Sequence, residues 1–137
     1  MDKFLKYKIK EYVYWSVYIH QNQGYLGRSV IWCRREDALD LVDATLEEKE
    51  ELFIILRELR EGLKRTFQPD WFNYSFLGNE TKHLHCHIVP RYASERSFAG
   101  VIFKDKRWGN SYRTDHDLQI PDDVVEKIRV QIKKAIK

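Results

Sequence analysis

The chain has 137 residues, 43% hydrophobic and 14% aromatic, a balance that supports a folded core and excludes a disordered segment. Its 24 Lys and Arg stand against 21 interspersed Asp and Glu, so the net charge of +3 suits a small anionic substrate and does not describe a nucleic-acid surface. No run of about 18 apolar residues occurs, and Met1 to Ile9 alternates lysine with apolar residues where a secretory leader would be continuously apolar; no membrane partner is expected, and the cytoplasm is the default location.

In chain order, residues 3–10 read as a basic, amphipathic arm or helical turn lying on the domain. Glu11 to Asn22 is rich in aromatic and β-branched residues and reads as a first strand, broken by Gln21-Asn22-Gln23-Gly24. Arg28 to Arg34 resumes as a second strand, antiparallel to the first. Thr45-Leu46-Glu47-Glu48 fits a capping box, and Leu52, Ile55, Leu56, Leu59, Leu63 and Phe67 then recur at helical spacing until Gln68-Pro69-Asp70 stops the helix. This long helix is expected to lie on one sheet face.

Trp71 to Leu77 reads as a third strand, Gly78 to Thr81 as a short turn and His83 to Arg91 as a fourth strand, so the last two should pair as a hairpin. Residues 93–119 show little periodicity apart from Val101-Ile102-Phe103, a short edge strand. Pro121-Asp122-Asp123 opens a terminal helix with Val125, Ile128, Ile132 and Ala135 or Ile136 on one stripe. The expected organisation is a single α+β domain over 1–137, with its core at about 12–92 and a C-terminal extension and helix over 93–137. Cys33 and Cys86 both fall in strands and are expected to be buried thiols, not a disulfide.

The densest chemistry is His83-Leu84-His85-Cys86-His87. On a strand the three imidazoles share one face, while Leu84, Cys86 and Ile88 share the other. Such a row suits nucleophilic or acid–base chemistry on phosphate, because imidazole titrates near neutrality. It also suits a zinc site, or merely a solvated polar face. No Cys-x-x-Cys or His-Glu-x-x-His pattern accompanies it.

His-x-His-x-His followed by two apolar residues, over His83 to Val89, resembles the signature of the histidine-triad (HIT) superfamily of nucleotide hydrolases and transferases. Phe72 to Glu80 resembles the strand and phosphate loop that precede the triad in that family, Pro90-Arg91-Tyr92 its usual exit, and Gly24 to Ile31 its second strand. The resemblance implies an antiparallel sheet with one long helix packed on it and a homodimeric assembly. It implies that His85 attacks the α-phosphorus of a nucleotide, that His83 orients it and that His87 bonds to a phosphate oxygen or assists the leaving group. Asn79 would donate to a non-bridging oxygen, and Asn73 would lie near the ribose or phosphate. Substrates would be dinucleoside polyphosphates or nucleoside phosphoramidates; no cofactor is required, although magnesium could accompany the nucleotide.

One position departs from the pattern. Where many members carry a fourth histidine after a glycine, Gly27 is followed by Arg28, as in a Gly-Arg branch of the superfamily; a guanidinium can bind phosphate but cannot relay a proton. His20 and His116 have no motif around them and read as surface residues. Trp15, Trp32, Trp71, Tyr14 and Tyr18 read as core. A nucleotide-sensing module with little turnover and a zinc-binding structural protein are the rival functions.

Overall fold

The computed structural model describes residues 2–136; Met1 and Lys137, the ends of the expected domain, lie outside the described residues. Its strands are β1 (Lys8–Glu11), β2 (Trp15–Ile19), β3 (Ser29–Cys33), β4 (Trp71–Ser75), β5 (His85–Arg91), β6 (Arg96–Phe98) and β7 (Val101–Phe103), and its helices are α1 (Leu46–Phe67) and α2 (Asp122–Ile136). The fold is mixed α+β. Five strands form one antiparallel sheet in the order β1-β2-β3-β5-β4, and β6 and β7 form a separate two-stranded ribbon.

The sheet has two chemically different faces. Trp15, Val17, Ile19, Ile31, Cys33, Cys86 and Ile88 are buried on the face under α1, whose Leu52, Ile55, Leu59 and Leu63 close the core from the other side. Each such side chain contributes about 1.5–3 kcal/mol on burial. Trp15 also donates its indole N–H to the Glu48 carbonyl, at 2.8 Å, which fixes the start of α1 on β2. The opposite face carries Val30, Trp32, His85, His87, Val89, Arg91, Asn73 and Ser75, set side by side by the pairs Trp32–His85, Val30–His87, Ser75–His87 and Asn73–Val89. α2 packs on α1 and β1 through Val125, Ile128 and Ile132. Gly62 permits this approach, because a Cβ there would stand 2.7 Å from Ile136 Cγ2.

The capping box of α1 is formed as the sequence predicts: Glu48 N–H donates to Thr45 Oγ1 at 3.1 Å, and Thr45 N–H donates to Glu48 Oε1 at 2.8 Å. Glu48 is buried and also takes two bonds from Arg35, which with the Thr45 amide outweigh burial and bring its carboxyl down to about 2. Gln68 ends the helix in the left-handed conformation.

Three expectations are corrected. Only residues 2–7 of the N-terminal arm are helical; Lys8–Glu11 forms β1, because Lys8 and Lys10 look outward while Ile9 is buried. The first long strand begins at Trp15, since the Glu51 carboxylate gathers the N–H groups of Val13, Tyr14 and Trp15 into a turn. β4 and β5 pair antiparallel as expected, yet residues 76–84 join them as a long loop and His83 lies on it. Val101–Phe103 is a short edge strand as expected, paired with β6 in the small ribbon. Cys33 and Cys86 are free and buried, as expected; burial pushes their thiols up to about 11 and about 12.

The segment over 104–119 returns across the histidine face as a strap, and one buried ion pair anchors it. Arg91 Nε and Nη2 donate to Asp105 Oδ2 and Oδ1 at 2.7 and 3.0 Å, Nη1 donates to Asn73 Oδ1 and the Asn110 carbonyl, and Nη2 also reaches the Arg107 carbonyl. All five guanidinium donors are used. The Asp105 carboxylate takes two further bonds from the N–H groups of Tyr92 and Arg107. Burial pushes its pKa up, but these donors outweigh burial and hold it below the usual value. Asp105→Asn leaves the guanidinium buried without its anion, and urea denaturation should show a loss of about 3–5 kcal/mol. A change under about 1 kcal/mol would show that the strap is held otherwise.

Candidate active site

β5 is flanked on both sides within the sheet, so His85 and His87 stand on a rigid strand with their ring centroids 5.1 Å apart. His85 Nδ1 lies 2.6 Å from the His83 carbonyl oxygen. A carbonyl only accepts, so Nδ1 carries a proton, and in the neutral ring the lone pair is on Nε2. His83 is fixed in turn by the Cys33 carbonyl, to which its Nε2–H donates at 2.6 Å. Trp32 stacks under both rings, with centroids 4.2 Å from His83 and 5.4 Å from His85. The result is a buried imidazole, 8% exposed, whose tautomer and plane are both set.

The third histidine has a different neighbourhood. Arg28 is 4% exposed; its Nη1 donates to Thr114 Oγ1 at 2.7 Å, and its Nη2 stands 3.4 Å from His87 Nδ1. The guanidinium also lies over the Tyr112 ring, at 5.1 Å, and Tyr112 Oη meets Ser75 Oγ at 2.7 Å. Gly27 makes this position possible with φ +90, and a Cβ there would stand 2.8 Å from Leu63 Cδ2. The fully buried Gln23 ties the same turn together: its amide nitrogen donates to the His20 and Arg28 carbonyls, and its oxygen accepts from Gly27 N–H.

Two imidazoles here, those of His87 and His20, are held neutral. Burial first, then Arg28 and His85, bring His87 down to about 4. Burial, Arg28 and His87 bring His20 down to about 3, and its Nδ1 accepts from Asn22 N–H at 3.0 Å. His20 is thus not the surface residue expected from sequence. Its ring centroid is 5.7 Å from that of His87, placed there because β2 ends one residue earlier, opposite Ser29. His116 is exposed, in line with expectation.

The structure therefore brings His83, His85, His87 and Arg28 together. Asn73 lies on the same face, with its Oδ1 engaged by Arg91, and lines a shallow cavity of about 580 Å³ with Trp71, Trp108 and Tyr112. Asn79 is exposed on the loop leading to the triad. Sequence reading missed Trp32, His20, Tyr112 and Thr114 as members of the site. Trp32 was reachable, since the β3–β5 register puts it opposite His85; the contacts of the strap carry no local signal. Among the described residues no group of three or more His, Cys, Asp or Glu is arranged to hold a metal ion.

Neutral His20 and His87 make stability depend on pH. Their folded pKa values lie below the ordinary value of about 6.5, so at acid pH the unfolded chain binds more protons. The stability they contribute is present above about pH 6.5 and is lost as the pH falls towards 4 and 3, with a slope of up to about 1.4 kcal/mol per unit for each group. Thermal melts from pH 7 to 4.5 should fall less steeply for His20→Asn, whose side-chain oxygen can still accept from Asn22 N–H. Parallel curves for the two proteins would contradict this assignment.

Comparison with known proteins agrees with this architecture. The chain is 31% identical over 97 residues to bis(5'-adenosyl)-triphosphatase of Saccharomyces cerevisiae, an alignment that takes in 65% of this chain and 46% of that protein, so the chain spans about half the length of the curated relatives it matches. Among solved structures, a histidine triad protein from Bradyrhizobium japonicum aligns with TM-score 0.71 at 19% identity, covering 100% of this chain and 96% of that one. A histidine triad (HIT) protein from Sinorhizobium meliloti aligns with TM-score 0.72 at 15% identity over 98% and 94% of the two chains. These likenesses show the fold. The family model of the HIT domain matches residues 26–94. Because that segment begins at Leu26, beside Arg28, and runs through all three histidines to Ser94, the chain belongs to the HIT domain family.

Proposed function

We propose that the chain is a nucleotidyl hydrolase or transferase acting at the α-phosphate of a nucleoside phosphate derivative through a covalent nucleotidyl-His85 intermediate. The observation that carries this reading is the 2.6 Å bond from His85 Nδ1–H to the His83 carbonyl, which in the neutral ring puts the lone pair of the nucleophile on Nε2. When Nε2 attacks phosphorus the ring becomes cationic, and the same carbonyl stabilises the charge at Nδ1. The stacked Trp32 and His83 keep the plane of attack. His87 donates to a phosphate oxygen, and Asn73, Asn79 and Arg28 are the proposed substrate contacts. Dinucleoside polyphosphates and nucleoside phosphoramidates both fit this chemistry; the name of the yeast relative supports the former.

A screen of purified protein against diadenosine polyphosphates, adenosine phosphoramidate and adenylylated amines, read by mass spectrometry, tests the reading. His85→Ala should lower turnover at least about 1,000-fold, equivalent to about 4 kcal/mol of transition-state stabilisation. His87→Ala should have the smaller effect, about 10- to 100-fold, because water can replace a hydrogen-bond donor. A His85→Ala protein retaining more than about a tenth of wild-type activity overturns the proposal. Micromolar nucleotide binding without turnover would favour a sensing module.

We also propose a homodimer. β4 is an edge strand with Trp71 67% and Tyr74 43% exposed, and α1 leaves Phe53 71% exposed, a set of apolar groups that a second copy would cover. Sedimentation at micromolar concentration should return a dimer, and Trp71→Arg should weaken it. A wild-type monomer under those conditions would overturn the assembly.

A further inference from the structure

We infer that Arg28 is a positioning residue that locks His87 as a neutral hydrogen-bond donor, and that this confines the site to substrates whose leaving group departs as a phosphate oxyanion, the phosphoanhydride class. The inference rests on the nucleotidyl-transfer reading above and narrows it. Its first support is the sense of one contact. A guanidinium has only donors, so the 3.4 Å approach of Arg28 Nη2 to His87 Nδ1 requires Nδ1 to accept, and the proton of the neutral ring must sit on Nε2. Protonating Nδ1 would set two cations against each other inside a buried site.

Burial, Arg28 and His85 all act on His87 in that direction. Arg28 reaches it from the turn before β3, His20 from the end of β2, His85 along its own strand, and Ser75 and Tyr112 close the side towards β4 and the strap. No carboxylate is among the groups that act on its titration, so nothing there favours an imidazolium. A neutral Nε2–H can hydrogen-bond to an oxygen but cannot give its proton away.

That difference decides the leaving group. As His85 Nε2 bonds to the α-phosphorus of a phosphoanhydride, the bridging P–O bond breaks and its electron pair leaves on the oxygen of a terminal phosphate. The departing oxyanion is the conjugate base of an acid with a pKa of about 6, so it needs no proton. Water then attacks phosphorus, the P–N bond breaks back onto Nε2, and water's proton goes to solvent. A phosphoramidate is different, because its nitrogen must be protonated before the amine can depart.

The second support is independent of His87. Arg28 is a buried cation whose partners are a hydroxyl, an imidazole nitrogen and an aromatic face, none of them an anion, and its Nε has no partner. A guanidinium so placed is short of negative charge. A polyphosphate leaving group beside His87 supplies that charge, whereas an amine does not.

The test compares diadenosine triphosphate with adenosine 5'-phosphoramidate, which share the adenylyl group, and follows the imidazole nitrogens of His87 by 15N NMR. The wild-type protein should favour the triphosphate in kcat/KM by at least about 100-fold, the scale of a missing general acid. His87 should show a neutral Nε2–H ring from pH 8 down to pH 5. In Arg28→Met, which keeps an unbranched side chain against Tyr112 and removes every donor, the preference should shrink at least about 10-fold and His87 should titrate nearer the ordinary histidine value. Should that variant not fold, the wild-type preference and the wild-type NMR still decide the matter.

Equal or better turnover of the phosphoramidate by the wild type, or an imidazolium or Nδ1–H ring at His87 at pH 7, overturns the inference. If neither substrate is turned over, the nucleotidyl-transfer reading itself falls and takes the leaving-group assignment with it. The NMR result separates that failure from a wrong account of Arg28 and His87.

Discussion

The histidine face is organised from one buried ion pair. Arg91 ends the strand that carries His85 and His87, and its bidentate bond to Asp105 fastens the strap across that face. With the strap fixed, Tyr112 lies under the Arg28 guanidinium and Thr114 takes its Nη1. Arg28 in turn determines which nitrogen of His87 holds the proton. A contact at one end of β5 thus reaches, through Tyr112, Thr114 and Arg28, the protonation state of a group in the site. Such a buried pair is weak evidence for net stability; here it joins β5 to the strap, which Tyr25, Ser75 and Arg28 also hold.

The two histidines of β5 are set by opposite means. His85 is held by a backbone carbonyl, which can only accept, so its outward nitrogen is a base. His87 is held by a guanidinium, which can only donate, so its outward nitrogen is a donor. Both assignments follow from the donor and acceptor inventory alone. In the proposed reaction His85 is the nucleophile and His87 the oxyanion-directed donor, and their ring centroids, 5.1 Å apart on one strand, leave little to reorganise.

Much of this was legible in the residues. The capping box at Thr45, the helical stripe from Leu52 to Phe67 and the separation of Cys86 from the imidazoles are local patterns, and each stands as read. β1 was hidden because Lys8-Ile9-Lys10-Glu11, with one apolar residue among charged ones, fits a helical turn as well as a strand. Trp32 and His20 were misjudged for another reason: an aromatic in a strand looks the same whether it faces the core or a site, and only the register decides. Arg28 was rightly singled out, but its partners Tyr112 and Thr114 lie more than eighty residues away in a segment without periodicity. No local rule connects them; the Arg91–Asp105 pair does.

The central claim is that His85 becomes covalently adenylylated. Protein mixed with diadenosine triphosphate, quenched in alkali where phosphoramidates last, and digested with trypsin yields the three histidines in one peptide, His83 to Arg91. Fragmentation mass spectrometry of that peptide then locates the adduct. The account requires a single adenylyl group on His85; an adduct on His83 or His87, or turnover with no adduct at any quench time, would contradict it.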